Sequence, residues 1–197
     1  MISTRRALVF ALVVALGVAA APDAGAGQVG DGLHSRLDHV IGILEDRSLT
    51  ARPEARRAAL RAAATEIFDF VEITRRSLGR HWRTVTPAER EELVQLFTAL
   101  LERSYVGRVE QFNGERIVIA GESLDGELAT VRTRLVSRSG TETAVDYRLY
   151  RTGDRWMAYD VSVEGVSLVA NYRAQFNKII QASSAQGLVQ RLRAKQE

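Results

Sequence analysis

The chain has 197 residues, of which 46% are apolar and 26% charged, and it carries a formal net charge of +3. That size suits one domain with its own core, and the balance is that of a globular protein rather than a disordered or fibrous one. It has no cysteine, which excludes disulfides, thiolate metal sites and a lipid-modified cysteine; its charges of both signs are interspersed, unlike the clustered basic stripe of a nucleic-acid binder.

Met1–Arg6 carries Arg5 and Arg6, Ala7–Val18 is apolar, and Ala24-Gly25-Ala26 offers the small residues that a signal peptidase reads. This pattern predicts a signal peptide over residues 1–26, cleaved after Ala26, and a single exported periplasmic domain over 27–197. A membrane anchor is the other reading, but the apolar run is too short to span a bilayer comfortably. Residues after Arg5-Arg6 fit a twin-arginine signal poorly. Cleavage removes Arg5, Arg6 and Asp23, leaving a small positive excess and a mild attraction to anionic surfaces.

Leu33, Leu37, Val40, Ile41 and Leu44 fall at helical spacing, predicting a first helix from about Asp31 to Asp46. Pro53 opens an Ala- and Arg-rich helix to about Thr65, and Ile67, Phe68, Phe70, Val71 and Leu78 form a short apolar helical segment ending at Gly79. Thr86-Pro87-Ala88-Glu89 reads as a capping box. The helix it opens carries Leu93, Leu96, Phe97, Leu100, Leu101 and Tyr105 on one stripe to about Glu110. The period then changes from 3.6 to 2. Arg116–Ala120, Glu127–Arg138, Thr141–Arg151 and Arg155–Val163 read as four strands joined by short turns. Val131, Thr133 and Leu135 alternate with arginines, as Val145, Tyr147 and Leu149 alternate with Asp146 and Arg148, so the sheet has one dry side that helices must cover. Leu168, Tyr172, Phe176, Ile179 and Ile180 predict a closing helix, with a tail helix around Leu188–Leu192. The fold class is therefore α+β: a four-stranded curved antiparallel sheet wrapped against helices into a cone with an apolar interior.

Catalytic templates fail: no P-loop, GxGxxG, GxSxG or HExxH is present. His34 and His39 are five apart, the wrong spacing for two ligands on one helix face, and His81 stands alone, so no metal site is expected. An Asp base and a Tyr donor inside such a cone could serve an isomerase. Alternation, however, puts Asp146 and Tyr147 on opposite faces, and likewise Tyr159 and Asp160; both pairs read as surface charge beside core aromatic. Glu164 lies in a turn where it would cap or bridge.

The run Tyr159-Asp160-Val161-Ser162-Val163-Glu164-Gly165-Val166-Ser167-Leu168-Val169-Ala170-Asn171-Tyr172-Arg173-Ala174-Gln175-Phe176 resembles the signature of the MlaC-type (toluene-tolerance) family, in which a strand ending in YDV and EGVSLV runs into a helix beginning NYR. A second block agrees: Phe68-Asp69-Phe70, Ile73, Arg75, Leu78-Gly79, Trp82, Thr86-Pro87, Leu96-Phe97, Leu100-Leu101 and Tyr105. Together they cover about Leu33 to Leu192. The resemblance implies a cone like that of nuclear transport factor 2, enlarged by extra helices, in a non-enzymatic, monomeric carrier without cofactor. Its cargo would be phospholipid, passed in the periplasm between an outer-membrane lipoprotein complex and an inner-membrane ABC transporter with an MCE-domain subunit. Another lipid, such as a hopanoid-like one, a small-molecule enzyme on the same cone, or a groove for a partner helix are the alternatives.

Carriage has a plain physical need. Each buried CH₂ is worth ~0.8 kcal/mol, so two chains of roughly thirty methylenes would cost over ~20 kcal/mol to expose. A dry cavity on the order of 1,000 Å³ is implied. The candidate lining residues are Phe70, Leu78, Leu93, Phe97, Leu101, Val131, Leu135, Val145, Tyr147, Leu149, Tyr159, Val161, Val166, Val169 and Tyr172, each of which could equally be plain core. Arg75, Arg80 and Arg173 are candidate phosphate contacts near a mouth, or ordinary surface arginines.

Overall fold

A computed structural model describes residues 27–196; the signal-peptide reading lies outside the described residues. Helix α1 (Gln28–Glu45) buries Val29, Leu33, Leu37, Ile43 and Leu44. It starts earlier than the apolar spacing predicts because Glu122, from the sheet, accepts from Gly27 N (3.2 Å) and Gly30 N (2.7 Å), satisfying donors that a helix start otherwise leaves free. Glycine at position 30 admits this approach, since a Cβ there would lie 2.8 Å from Glu122 Oε2 and push the carboxylate aside.

After α2 (Arg47–Thr50), Pro53 opens α3 (Pro53–Ile67) as expected. The helical segment expected from Ile67 is split. Phe68 turns to extended backbone and runs beside Ala158, and Asp69 N–H donates to Ala158 O at 3.0 Å. The Asp69 carboxylate accepts from Glu72 N (2.9 Å) and so starts α4 (Phe70–Leu78) as its N-cap. Helix α4 ends at Gly79, whose φ of 56° suits glycine, and a 3₁₀ turn follows over Gly79–Arg83. The capping box holds: Thr86 N donates to Glu89 Oε2 (2.8 Å) and Glu89 N to Thr86 Oγ1 (3.3 Å) at the head of α5 (Pro87–Val109).

The sheet is an antiparallel meander, β1 (Arg116–Asp125), β2 (Leu128–Val136), β3 (Glu142–Thr152), β4 (Arg155–Val163) and β5 (Val166–Ser167). Two features depart from expectation. Strand β1 runs five residues past Ala120, because a bulge between Ile119 and Gly121 breaks the alternation without ending the pairing. Two residues after the Glu164-Gly165 turn also pair back on β4, adding a short fifth strand. Glu164 bridges as predicted, its carboxylate accepting from Ala144 N. Helices α6 (Leu168–Ala182) and α7 (Ala185–Ala194) close the chain.

The apolar positions separate into packed groups. Helices α4, α5, α6 and α7 share Ile73, Leu78, Leu93, Phe97, Leu101, Val169, Phe176 and Leu188. The sheet packs Val131, Tyr147, Leu149 and Ala158 against Leu33 and Leu37 of α1 and Ile67 of α3. A small third group joins α1 and α3 through Ile43, Leu44, Leu60 and Ala63. No helix among the described residues is long and apolar enough to cross a membrane.

Candidate functional site

The inner sheet face is set by register. Tyr147 pairs with Val131 and Val161, and Leu149 with Ala129 and Ala158, so these side chains share one face. Phe68 is the one side chain, among the described residues, that packs against both this sheet cluster and the helical cluster. Its ring centroid lies 6.3 Å from Tyr147 and 6.2 Å from Phe70. The molecule therefore has an apolar seam between sheet and helices, bridged at Phe68.

That inner face does not end where its helical cover ends. Val145 pairs with Val163 and Val163 with Val166, so the three valines form a cross-strand row continuing the Tyr147 side of the sheet. Val145 is half-buried, Val163 is 46% exposed and Val166 65%. Apolar surface thus runs from the seam out to water.

The candidate lining residues fall accordingly. Phe70, Leu78, Leu93, Phe97, Leu101, Val169 and Tyr172 lie in or against the helical cluster. Val131, Val145, Tyr147, Leu149 and Val161 lie on the sheet side. Half-buried Leu135 sits at the open end of β2, and Val166 ends the valine row. Tyr159 belongs to neither cluster: the bulge between Arg148 and Leu149 leaves it without a β3 partner, and the Arg76 guanidinium stacks 3.7 Å from its ring centroid. Sequence periodicity missed Phe68, hidden inside an expected helix, and Val163, although period 2 from Val161 points to it.

Burial pushes the Tyr147 phenol up to about 12.

The outer face corrects one reading. Asp160 is 2% exposed, not a surface charge. Its carboxylate accepts from Ser167 Oγ (2.6 Å), Val169 N (3.0 Å) and Arg148 Nη1 (3.3 Å), pinning β4 to the start of α6. Asp146 is half-buried with one buried oxygen unpartnered. Nearby, the Tyr150 hydroxyl donates to Asp69. Desolvation first, and then that bond, push the Tyr150 phenol up to about 12. A raised phenol favours the neutral form in the folded chain, so its stabilisation is complete below about pH 10 and is lost as pH rises through about 12. Denaturant unfolding of the chain and of Tyr150→Phe should differ by a constant amount up to about pH 10, and the difference should then close. A difference that widens above about pH 10 contradicts the assignment.

No group of three or more metal-ligating side chains occurs among the described residues. His34 faces Asp38 at 2.8 Å and His81 contacts Asn177 Oδ1 at 3.0 Å. Two concavities lie around α6. An apolar groove of about 510 Å³ runs between α5, α6 and α7 past Leu100, Tyr172, Phe176, Ile179 and Leu192. A second, about 490 Å³, gathers Arg75, Arg76, Arg80, Arg83 and Arg173 with Trp82 and Gly79; the three arginines singled out from sequence do converge.

The family model for the MlaC protein matches residues 35–194. The chain belongs to the MlaC family. Among solved structures, this MlaC-family chain superposes with a TM-score of 0.77 on a phospholipid-binding protein from Ralstonia solanacearum in complex with a phospholipid, at 24% identity over 84% of this chain and 95% of that one. The fold is therefore shared, and the α+β sheet-and-helix architecture read from the sequence holds. Toluene tolerance protein ttg2D of Pseudomonas putida is 24% identical over 103 residues, 52% of this chain; the match spans about half the length of that relative (48%).

Proposed function

We propose that this MlaC-family chain is a non-enzymatic periplasmic carrier of phospholipid. Acyl chains enter under the row Val145, Val163 and Val166 and part the seam at Phe68, lying between the Tyr147 face of the sheet and the α4–α6 helices. The observation that carries this reading is the continuity of apolar surface from two packed clusters out to exposed valines. An exposed apolar row that leads into a core marks an entry site better than scattered surface valines do. The bound phospholipid of the Ralstonia relative supports the cargo, and family membership supports the pathway: exchange between an outer-membrane lipoprotein complex and an inner-membrane ABC transporter with an MCE-domain subunit. The carrier works as a monomer without cofactor.

Val145→Trp tests the entry. An indole at this half-buried position displaces two to three methylenes of chain, about 2 kcal/mol, or roughly thirtyfold in lipid affinity. The purified variant should keep its circular dichroism and lose most of the phospholipid that wild-type protein carries. Full loading of a folded Val145→Trp variant overturns this entry route.

A further inference from the structure

The pocket between α4, the 3₁₀ turn and α6 is lined by five arginines, Trp82 and Gly79, and by no acidic side chain. Its geometry follows from local structure. In a 3₁₀ helix residues three apart eclipse, so Arg80 and Arg83 project from one side. Arg76 comes from the last turn of α4. Arg173 reaches in from α6, its Nε donating to Arg76 O at 2.8 Å, which fixes the guanidinium at the Gly79 wall. Glu72 accounts for two of the cations, accepting from Arg75 and from Arg76. Among the described residues Arg80, Arg83 and Arg173 have no carboxylate within ion-pair distance; Arg80 meets only the neutral Asn177 amide oxygen at 3.3 Å.

Like charges held this close repel, and surface packing could have turned them apart. Instead a backbone carbonyl and an amide oxygen hold two of them toward a common space. A guanidinium fork fits carboxylate and phosphate alike, but donors from α4, the 3₁₀ turn and α6 outnumber the two oxygens of a carboxylate and suit the several oxygens of a phosphate. We infer that this pocket is a binding site for a phosphate-type oxyanion, with Arg80, Arg83 and Arg173 as its principal donors and Arg76 as a shared one. The group could be a free phosphate or the phosphodiester of a lipid headgroup. The site stands on its own side chains and does not require a chain in the seam.

Two arms separate the sources, with Arg80→Gln/Arg83→Gln as the probe variant and Arg47→Gln/Arg52→Gln, equal in charge but on α2 and the turn after it, as the control. In the first arm, thermal unfolding is followed with inorganic phosphate at about 20 mM against sodium chloride of matched ionic strength. Wild-type and control proteins should gain about 4 °C, and the probe variant less than half of it. Losing two charge-assisted contacts should weaken phosphate binding on the order of a hundredfold. In the second arm, the three proteins are floated with phosphatidylglycerol vesicles. Retention of wild type and control but not of the probe variant, with no effect in the first arm, assigns the site to a lipid headgroup. A phosphate effect without differential flotation assigns it to the free ion. If the probe variant matches the control in both arms, the pocket is not an oxyanion site. Co-purified phospholipid in the probe variant reports separately on the seam.

Discussion

Phe97→Ala is expected to destabilise the chain by about 4 kcal/mol and to lower its melting temperature by about 8–16 °C, the range for a protein of this size. Phe97 has no exposed surface, and its ring meets Tyr172 at 4.8 Å and Phe176 at 4.9 Å, both edge-on. Truncation removes the transfer free energy of the ring, leaves a void that α5 and α6 cannot close without moving, and dissolves two favourable aromatic contacts. Phe97→Leu retains most of the volume and should cost less than half as much. Thermal unfolding by circular dichroism decides it: a loss under about 1 kcal/mol would mean that the helical cluster is not the packed unit described.

Asp160→Ala carries the second large effect, about 3–5 kcal/mol, because it strands partners rather than merely removing a charge. Arg148 contributes little of this, since its side chain is half exposed and solvent screens the pair. The weight falls on Ser167 Oγ and Val169 N, whose donors lose their acceptor at the head of α6. Asp160→Asn does not rescue fully, for its amide nitrogen would face one of two donors. Amide hydrogen exchange gives the sharper readout: α6 should exchange faster in Asp160→Ala while β1 and β2 keep their protection. Uniform acceleration over all elements would show that Asp160 supports the whole fold and not the β4–α6 joint.

Much of this architecture was legible because burial and periodicity coincide. The stripe from Leu93 to Leu101 and the capping box at Thr86 define α5 without tertiary help, and the change to period 2 after Gly114 locates the sheet. What escaped depends on contacts distant in sequence. Phe68 continues a helical apolar pattern, yet its backbone runs beside Ala158, ninety residues on. Asp160 reads as the polar half of an alternating pair, yet α6 folds back over it and makes it an N-terminal acceptor. Tyr159 has the right alternation for the inner face, but a bulge takes it out of pairing. Bulges and caps change a side chain's direction by one residue, and a pattern of period 2 cannot register that shift. Four of the converging arginines are visible as residue types near Gly79, while the arrival of Arg173 needed the packing of α6 on α4.

Phospholipid carriage is tested most directly by native mass spectrometry of the protein, purified from a phospholipid-containing host without detergent, followed by organic extraction and phosphorus assay. The expected result is a dominant species heavier than the polypeptide by the mass of a phospholipid, and about one lipid phosphorus per chain. A folded protein that emerges lipid-free, and takes up none when incubated with phospholipid vesicles, would contradict it.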